Sequence, residues 1–393
     1  MNERILIAGA SIAGLTTAHW LARHGFRPTV VEPAPAPRPG GNGVDVREQA
    51  VDVVDRMGIL PRVRAAAADV RGIKFVDAHG QAVARVDVTG ASEIEVMRGD
   101  LVALVHQASD GVEHVFGDAV RGLAQDEGGV TVSFENGPDR RFDLVIGADG
   151  LHSTVRRLAF GPEADFVRHG GHYFAFANAD AALGEDRWVT MFNRPGRMAG
   201  LYRSGNHAQA KAYFIVRSEP IAYDHRDVGA HKRLIRETFA RETGWRVREL
   251  LAGALDDPDF YFDAVSQVRM GSWSAGRVTL AGDAAWCASP ASGAGAELAL
   301  VGAYRLAGEL AAARGDHRIA FARYHDSHRE LVGKRQRIGP NVKLMVPRTR
   351  AGIAVRNAVA RLPLLRAASA VERRYRTRAP ALPRYAPAHG HSA

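Results

Sequence analysis

Arg4-Ile5-Leu6-Ile7-Ala8-Gly9-Ala10-Ser11-Ile12-Ala13-Gly14 is the stretch that decides the fold, and the pattern that it begins runs on to Glu32. Its apolar start predicts a buried strand, and a glycine-rich turn follows. Residues 15–24 then have the apolar spacing of a helix, which Gly25 ends. Residues 28–31 predict a second strand. The whole pattern predicts a βαβ unit with a nearly complete G-x-G-x-x-G turn.

The turn has the residue types that a dinucleotide-binding turn needs. Gly9 allows a sharp turn, and Gly14 lets the helix pack close to the strand. Ser11 replaces the middle glycine and adds a hydroxyl group. The helix that starts at Ile12 and Ala13 offers free N–H groups and a partial positive charge to a pyrophosphate. An ordinary βα turn is the alternative interpretation.

Glu32 ends the predicted second strand, where an acidic residue can accept hydrogen bonds from both ribose hydroxyls of an adenosine. A 2′-phosphate at this position would meet a carboxylate, with no cation expected between the two charges. The site therefore favours FAD or NAD over NADP.

Length and composition indicate the class of protein. With 393 residues the chain is long enough for two domains. Cys287 is the only cysteine, which excludes an internal disulfide and favours a cytoplasmic location. The sixteen histidines have no paired metal-binding spacing, so no metal is expected. We expect no signal peptide, no stable membrane association, and a monomer or a dimer.

The net charge of +9 comes from the carboxyl-terminal residues 347–393, which contain ten arginines and one acidic residue. The rest of the chain is close to neutral, so nucleic-acid binding is not expected. We interpret this part as C-terminal helices with a solvated basic face and with Val355, Val359, Leu362 and Leu365 packed inward. An anionic partner or a membrane surface is the alternative.

Two later strands end in the same kind of residue. Residues 143–147 predict a buried strand that runs into Ala148-Asp149-Gly150, and residues 277–281 predict another that runs into Gly282-Asp283. Ligands of doubly wound sheets bind at the carboxyl ends of the strands. Together with the first turn, these ends predict one ligand-binding crevice.

On these motifs the chain resembles the group A flavin monooxygenases, the p-hydroxybenzoate hydroxylase type. It is most similar to the single-domain aromatic hydroxylases that include the tetracycline-inactivating monooxygenases. The residues that carry the resemblance are the Gly9–Gly14 turn, Asp149-Gly150, Arg98 in Met97-Arg98-Gly99-Asp100-Leu101, and Gly282-Asp283-Ala284-Ala285 with Pro290, Gly293 and Gly295. The resemblance extends from residue 4 to about residue 335.

The resemblance implies an α/β fold. It consists of a Rossmann-like FAD-binding domain of the GR2 type, a second and mostly antiparallel β substrate domain, and C-terminal helices. We expect the FAD-binding domain at 1–71, 96–165 and 266–340, and the substrate domain at 72–95 and 166–265. Residues 341–393 form the helical, arginine-rich tail.

The resemblance also implies the roles of individual residues. The residues expected to bind FAD are Gly9, Ser11, Ile12, Ala13, Gly14, Glu32, Asp45, Arg47, Arg98, Asp149, Asp283, Pro290, Gly293, Gly295 and Ala296. Among them, Glu32 would bind the adenosine ribose and Asp283 the ribityl chain, and Asp149 would serve both FAD and the reductant. Arg38 is expected to contact the nicotinamide reductant.

Some positions depart from the family pattern. Trp286 stands where a histidine is common, and Ala294 replaces a glutamine. Glu297 replaces a common asparagine near the expected flavin. Its side chain either points away from the flavin or tunes it. An acid in the first turn of a helix is also favoured by the helix dipole. Cys287 is expected to be a packing residue.

The reaction implied by the resemblance is hydroxylation of an aromatic or polyketide-like small molecule with NAD(P)H and O2, through a C4a-hydroperoxyflavin. FAD carries this chemistry, so no protein nucleophile is expected. His172 is a candidate general base by residue type only. The alternatives are a flavin-dependent reductase or dehydrogenase, a halogenase, for which Trp273-Ser274-Ala275 is a poor match to the Trp-x-Trp-x-Ile motif, and an FAD-binding protein without turnover.

Overall fold

The computed structural model describes residues 2–38, 40–87, 93–337, 341–361 and 381–385, with side chains at all of them except 341 and 342. The strands are β1 Arg4–Ala8, β2 Arg27–Glu32, β3 Gly43–Val46, β4 Gly72–Val76, β5 Ala82–Asp87, β6 Ile94–Met97, β7 Glu113–Phe116, β8 Val120–Gln125, β9 Val130–Phe134, β10 Arg140–Phe142, β11 Leu144–Gly147, β12 Val167–Ala179, β13 Trp188–Arg194, β14 Arg197–Tyr202, β15 Ala210–Arg217, β16 Tyr261–Val268, β17 Ser274–Ala275 and β18 Val278–Leu280.

The helices lie between these strands and after them. They are α1 Ile12–Arg23, α2 Gln49–Arg56, α3 Leu60–Ala65, α4 Arg98–Gln107, α5 Thr154–Phe160, α6 Val228–Phe239, α7 Val247–Asp256, α8 Asp283–Trp286, α9 Gly295–Ala312, α10 His317–Arg335, α11 Asn341–Met345 and α12 Arg350–Ala360. Single 3₁₀ turns occur at Glu163–Asp165, Ala181–Leu183 and Pro290–Ser292.

One of the two large sheets has six strands in the order β17-β18-β11-β1-β2-β7. Strand β1 pairs in parallel with β2 and β11, and β11 pairs in parallel with β18. Helix α1 is buried along most of its length and packs against α9. This arrangement confirms the predicted βαβ unit and places three strand ends side by side.

The other large sheet has seven strands in the order β16-β12-β15-β14-β13-β4-β5. Its strands pair antiparallel except for β4 and β13, which are parallel. Alternate residues such as Leu201 and Phe214 form a core with Ile235 of α6 and Leu250 of α7. The opposite face carries Tyr261 and other aromatic residues. The fold is thus the mixed α/β architecture expected from the sequence, and the domain boundaries stay a prediction.

The carboxyl-terminal part corrects one expectation. Val355 is 62% exposed and Val359 is 43% exposed, so the prediction that they pack inward is wrong. Arg356 packs inward instead: its guanidinium lies 3.8 Å from the centre of the Phe75 ring and donates to Asn193 Oδ1. The hydrophobic spacing does not identify the buried face because the contact of α12 is made by a long side chain with an apolar stem. The other two residues of that prediction, at 362 and 365, lie outside the described residues.

Smaller elements complete the structure. Strands β8, β9 and β10 form a three-stranded antiparallel sheet, and β3 pairs with β6. In the part of the chain that the structure describes, no helix combines the length and apolar character needed to cross a membrane.

Candidate functional site

The three glycine-bearing strand ends meet at one edge of the six-stranded sheet. A Cβ added to Gly9 would lie 2.4 Å from the Ala148 carbonyl oxygen, and one added to Gly282 would lie 2.7 Å from the Cβ of Ala13. Backbones approach this closely only where a side chain is absent. The turn after β1, the Asp149 segment after β11 and the Asp283 segment after β18 therefore form one crevice, as the sequence predicts.

The turn after β1 requires its glycines. Gly9 has a φ of +107°, and a Cβ on Gly14 would lie 1.9 Å from the Gly9 carbonyl oxygen. Ser11 is the N-cap of α1, but its side chain makes no capping hydrogen bond; its hydroxyl oxygen instead accepts from Arg98 Nη2 at 2.8 Å. The first N–H groups of α1, beginning at Ile12, remain directed at the crevice.

Glu32 is buried at the end of β2. One carboxylate oxygen accepts from the backbone N–H of Ala10 at 2.9 Å, and the other accepts from Arg38 Nη2 at 3.1 Å. The expectation that no cation lies near Glu32 is therefore wrong, since the proline-rich loop returns Arg38 to the end of the strand. The carboxylate retains acceptor capacity for a ribose hydroxyl, because two oxygens offer about four lone-pair positions.

Asp283 begins α8 and exposes its side chain to the crevice. The surrounding protein raises the pKa of its carboxyl by desolvation, and the nearby positive charge of Arg98 opposes this shift. Desolvation, together with the charge of Arg38, lowers the pKa of Arg98. A buried thiol, Cys287, adjoins Asp283 and lies 3.6 Å from the Ser266 carbonyl oxygen. An accessible carboxylate walled in by protein is the arrangement expected of a ligand-binding cleft.

Asp149 has a different environment. The Ser153 hydroxyl and the backbone N–H of Val155 both donate to its carboxylate, the latter at 3.0 Å. Asp149 thus stabilises the start of α5, while Arg156 in the same helix donates to the Ala284 carbonyl oxygen at 3.0 Å and ties α5 to α8. The structure brings Asp149 to the crevice, where its carboxylate also accepts hydrogen bonds from the segment that begins α5.

The loop before α9 forms another wall. The 3₁₀ turn at Pro290–Ser292 leads to Gly293, whose φ is +61°, and α9 begins at Gly295 after Ala294, which has no side chain able to cap the helix. A Cβ added to Gly295 meets no atom of the described residues within 4 Å. The start of α9 therefore borders open space at Gly295.

Asp45 and Arg47 lie beside this loop. Asp45 Oδ2 would be 3.2 Å from a Cβ added to Gly293. Burial raises the pKa of Asp45, and the negative charge of Glu93 raises it further. Arg47 Nε donates to Glu297 Oε2 at 2.9 Å. Glu297 is fully buried and also accepts from Arg335 at 2.7 Å. Glu297 therefore points into an ion-pair network with Arg47 and Arg335.

The remaining candidates lie deeper in the structure. His172 is 2% exposed, and its Nδ1 lies 3.0 Å from the Gly170 carbonyl oxygen. Burial lowers its pKa, and the charges that act on it belong to Arg217, His169 and Lys343 rather than to the crevice. This position gives no support to His172 as a general base. Trp273 and Trp286 are buried against each other, with ring centres 4.6 Å apart.

Sequence reasoning missed the residues that join the two sheets. His152, three residues after Asp149, lies 3.2 Å from Asp263 of β16, and Tyr261 on the same strand is near the charges of Arg98 and Asp283. The available signal was a strand with polar residues at alternate positions next to an aromatic run. No motif marked these residues.

The crevice fits FAD on observations of this chain alone. Glycines allow close backbone approach, α1 and α9 begin at the crevice without a side-chain cap, and acidic and basic side chains lie between them. Across the described residues no cluster of three or more His, Cys, Asp or Glu side chains could hold a metal ion.

Comparison with known proteins agrees with this geometry. Residues 3–335 match the family described as FAD binding domain. A flavin-dependent monooxygenase of an unknown prokaryotic organism is 38% identical over 86% of this chain and 89% of its own length, and one of Legionella longbeachae is 35% identical over 86% and 88%. The crystal structure of tetracycline destructase Tet(55) is similar with a TM-score of 0.81 and 35% identity, over 98% of this chain and 99% of that one. An uncharacterised Mycobacterium tuberculosis protein is 43% identical over 85% and 92%. The chain therefore belongs to the FAD-binding family of flavin-dependent monooxygenases.

Proposed function

We propose that this protein takes electrons from NAD(P)H and inserts one atom of O2 into an aromatic or polyketide-like small molecule. The observation that carries the proposal is the crevice itself, where the exposed Asp283 lies near Tyr261 on the aromatic face of the seven-stranded sheet. Bound FAD would supply the electron transfer from the nicotinamide and the activation of O2. The similarity to tetracycline destructases makes a tetracycline the first polyketide to test.

The proposed roles of the residues follow from their positions. The start of α1 would bind the pyrophosphate and Glu32 the adenosine ribose. Asp283 would accept a ribityl hydroxyl, with Arg98 beside it. The start of α9 would stabilise negative charge on the flavin ring, because its N–H groups carry a partial positive charge.

The substrate sheet would complete the site. Phe174, Phe176 and Tyr213 lie on the face of β12 and β15 that is opposite the α6–α7 core. Such a face binds planar apolar ligands and excludes water from the reacting atoms. Arg38 has a side chain that is 61% exposed and remains our proposed contact for the reductant, although it now also pairs with Glu32.

The experiment is to purify the protein and supply FAD, NADPH or NADH, and a panel of phenols and polyketides that includes a tetracycline. We expect a yellow protein from which acid releases free FAD. We also expect substrate-stimulated NAD(P)H oxidation and a product heavier by one oxygen atom, labelled when ¹⁸O2 is used. Reductant consumption without labelled product across the panel would indicate a reductase instead.

Glu32 offers a separate test of which nucleotide the amino-terminal turn binds. Glu32→Ala should weaken FAD binding about tenfold, through loss of a hydrogen bond to a charged group, and leave the ratio of NADH to NADPH turnover unchanged at saturating FAD. A changed ratio would show that the turn binds the nicotinamide nucleotide. Arg38→Ala is the matched variant, since it removes the partner of Glu32 but keeps the carboxylate.

A further inference from the structure

The carboxylate of Asp263 in β16, at the edge of the seven-stranded sheet, accepts several hydrogen bonds. It is 3% exposed. Its Oδ1 accepts from the Tyr223 hydroxyl at 2.7 Å, from the Ala264 backbone N–H at 2.7 Å and from His152 Nε2 at 3.2 Å. Its Oδ2 accepts from the Tyr261 hydroxyl at 2.8 Å. The two oxygens are therefore not equivalent: Oδ1 has several donors, and Oδ2 serves Tyr261.

His152 keeps this carboxylate charged. Its Nδ1 lies 3.0 Å from Glu163 Oε1, so both ring nitrogens face carboxylates and both must donate. Burial lowers the pKa of His152, but the bonds to Asp263 and Glu163 outweigh burial and raise it to about 9. Burial by itself raises the pKa of Asp263. The hydrogen bond and positive charge of His152, with the bonds from the two tyrosines, bring this pKa below its usual value. At neutral pH the pair is an imidazolium next to a carboxylate.

The two tyrosines on Asp263 have different surroundings. Tyr223 packs on Tyr173 and Phe262, which belong to the core under α6 and α7. Tyr261 is 39% exposed, its ring lies 4.9 Å from that of Phe176, and the charges of Arg98 and Asp283 act on its hydroxyl. Tyr261 thus presents its hydroxyl to the crevice, whereas Tyr223 supports the carboxylate from the core side.

This arrangement fixes what Tyr261 can offer to a ligand. A tyrosine hydroxyl has one proton, and Asp263 Oδ2 takes it because an ionised carboxylate only accepts. What remains towards the crevice is the oxygen lone pair. Tyr261 can therefore accept a hydrogen bond there and cannot donate one.

We propose that Tyr261 is a substrate-binding residue that accepts a hydrogen bond from a hydroxyl of the aromatic or enolic substrate, and that Asp263 and His152 are the positioning residues that set this polarity. The proposal rests on the proposed function and names a feature of its substrate: a ring hydroxyl, not an ether or a ketone, at this point of the crevice. A hydroxyl that donates a hydrogen bond gains electron density, which its ring shares, and this favours transfer of an electrophilic oxygen to the neighbouring ring carbon. The role is one of binding and orientation, because a carboxylate held in its charged form by His152 is a poor final acceptor of the substrate proton.

The test uses the FAD-loaded protein and two probes that differ in one hydrogen-bond donor, 2-naphthol and 2-methoxynaphthalene. Their dissociation constants are measured by calorimetry. Wild type should bind the naphthol about tenfold more tightly, as expected for one buried hydrogen bond. Tyr261→Phe should bring the two constants to within about twofold. Tyr223→Phe is the matched control: it also removes a hydroxyl from Asp263, but not one that faces the crevice, and should keep the preference.

Asp263→Asn gives a second and sharper result. Three donors on Oδ1 require the amide oxygen at that position, so the amide NH2 must face Tyr261 and donate to its oxygen. The Tyr261 proton then points into the crevice, and the preference for the naphthol should disappear or pass to the ether. A residue with a merely structural role would not move this ratio.

Three results would overturn the proposal: no naphthol preference in wild type, a preference retained in Tyr261→Phe, or Tyr261→Phe losing FAD affinity about tenfold with the probe ratio unchanged. The last result would assign Tyr261 to the cofactor. Failure of the proposed function gives a different signature, since a protein that inserts no ¹⁸O could still show the naphthol preference and its loss in Tyr261→Phe.

Discussion

Asp149 and Asp283 follow neighbouring parallel strands and look alike in the sequence, yet they do different things. Asp149 accepts hydrogen bonds from Ser153 and from the backbone of Val155, and so it stabilises the start of α5. Asp283 has its side chain exposed to the crevice, next to the charge of Arg98. A buried strand that ends in an acidic residue therefore predicts the place of a carboxylate but not which local hydrogen bonds its oxygens already accept.

Among the variants that distinguish the Asp149 segment from the Asp283 segment, the largest change in stability should come from His152. This residue joins the Asp149 segment to the seven-stranded sheet. His152→Gln should lower the free energy of unfolding by about 3 kcal/mol at pH 6, on the basis of a pKa raised from 6.5 to about 9. A raised pKa stabilises the folded state fully below the unfolded value of 6.5 and loses this contribution as pH rises through 9. The measurement is urea unfolding of both proteins from pH 6 to pH 10.

The control for this experiment is His225→Gln. The His225 ring stacks on that of His152, with ring centres 4.2 Å apart, but it does not hydrogen-bond to Asp263 or Glu163. It should change stability by less than about 1 kcal/mol. A His152→Gln deficit that is the same at pH 6 and pH 10 would contradict a role for the imidazolium charge.

The next effect concerns Asp283. Asp283→Ala should weaken FAD binding roughly ten- to a hundredfold, because a hydrogen bond to a charged group contributes about 1.5–3 kcal/mol. The dissociation constant is measured by quenching of flavin fluorescence, with Arg38→Ala as the comparison, for which we expect a smaller loss. Equal constants for wild type and Asp283→Ala would remove the assignment of Asp283 to the ribityl chain.

The smallest effect should come from Asp149. Asp149→Ala removes the acceptor at the start of α5 and should cost about 1 kcal/mol of stability. We expect FAD affinity to change much less than in Asp283→Ala, as measured in the same fluorescence titration. A larger loss of FAD affinity in Asp149→Ala than in Asp283→Ala would reverse the comparison between the two aspartates.

The sequence predicted the parts of the site that depend on local backbone geometry. Gly9 and Gly14 are required by contacts within a few residues or between adjacent strands, and a motif records such requirements. The pairs Arg38–Glu32, Arg47–Glu297 and His152–Asp263 were not predicted. The last two join residues 250 and 111 positions apart, and nothing in the spacing of charged residues encodes such partners.

The same limit explains the error in the tail. A helix with valines four residues apart predicts an apolar stripe, but it does not say whether another surface covers that stripe. Glu297 is a similar case: two arginines from distant segments pair with it, and the sequence pattern around it indicates neither of them.

The packing of α1 against α9 has a consequence for synthesis of the chain. The side of α1 that packs on α9 is covered only when residues 295–312 have been made. At roughly 5–20 residues per second the ribosome needs about 15–60 s to reach that point. For this time α1 has only its contacts with β1, β2 and α4, its α9-facing side is uncovered, and the β18 strand that borders the crevice does not yet exist. Expression at low temperature or with extra chaperone should therefore raise the soluble yield of this protein more than that of one whose first helix packs on a neighbouring segment.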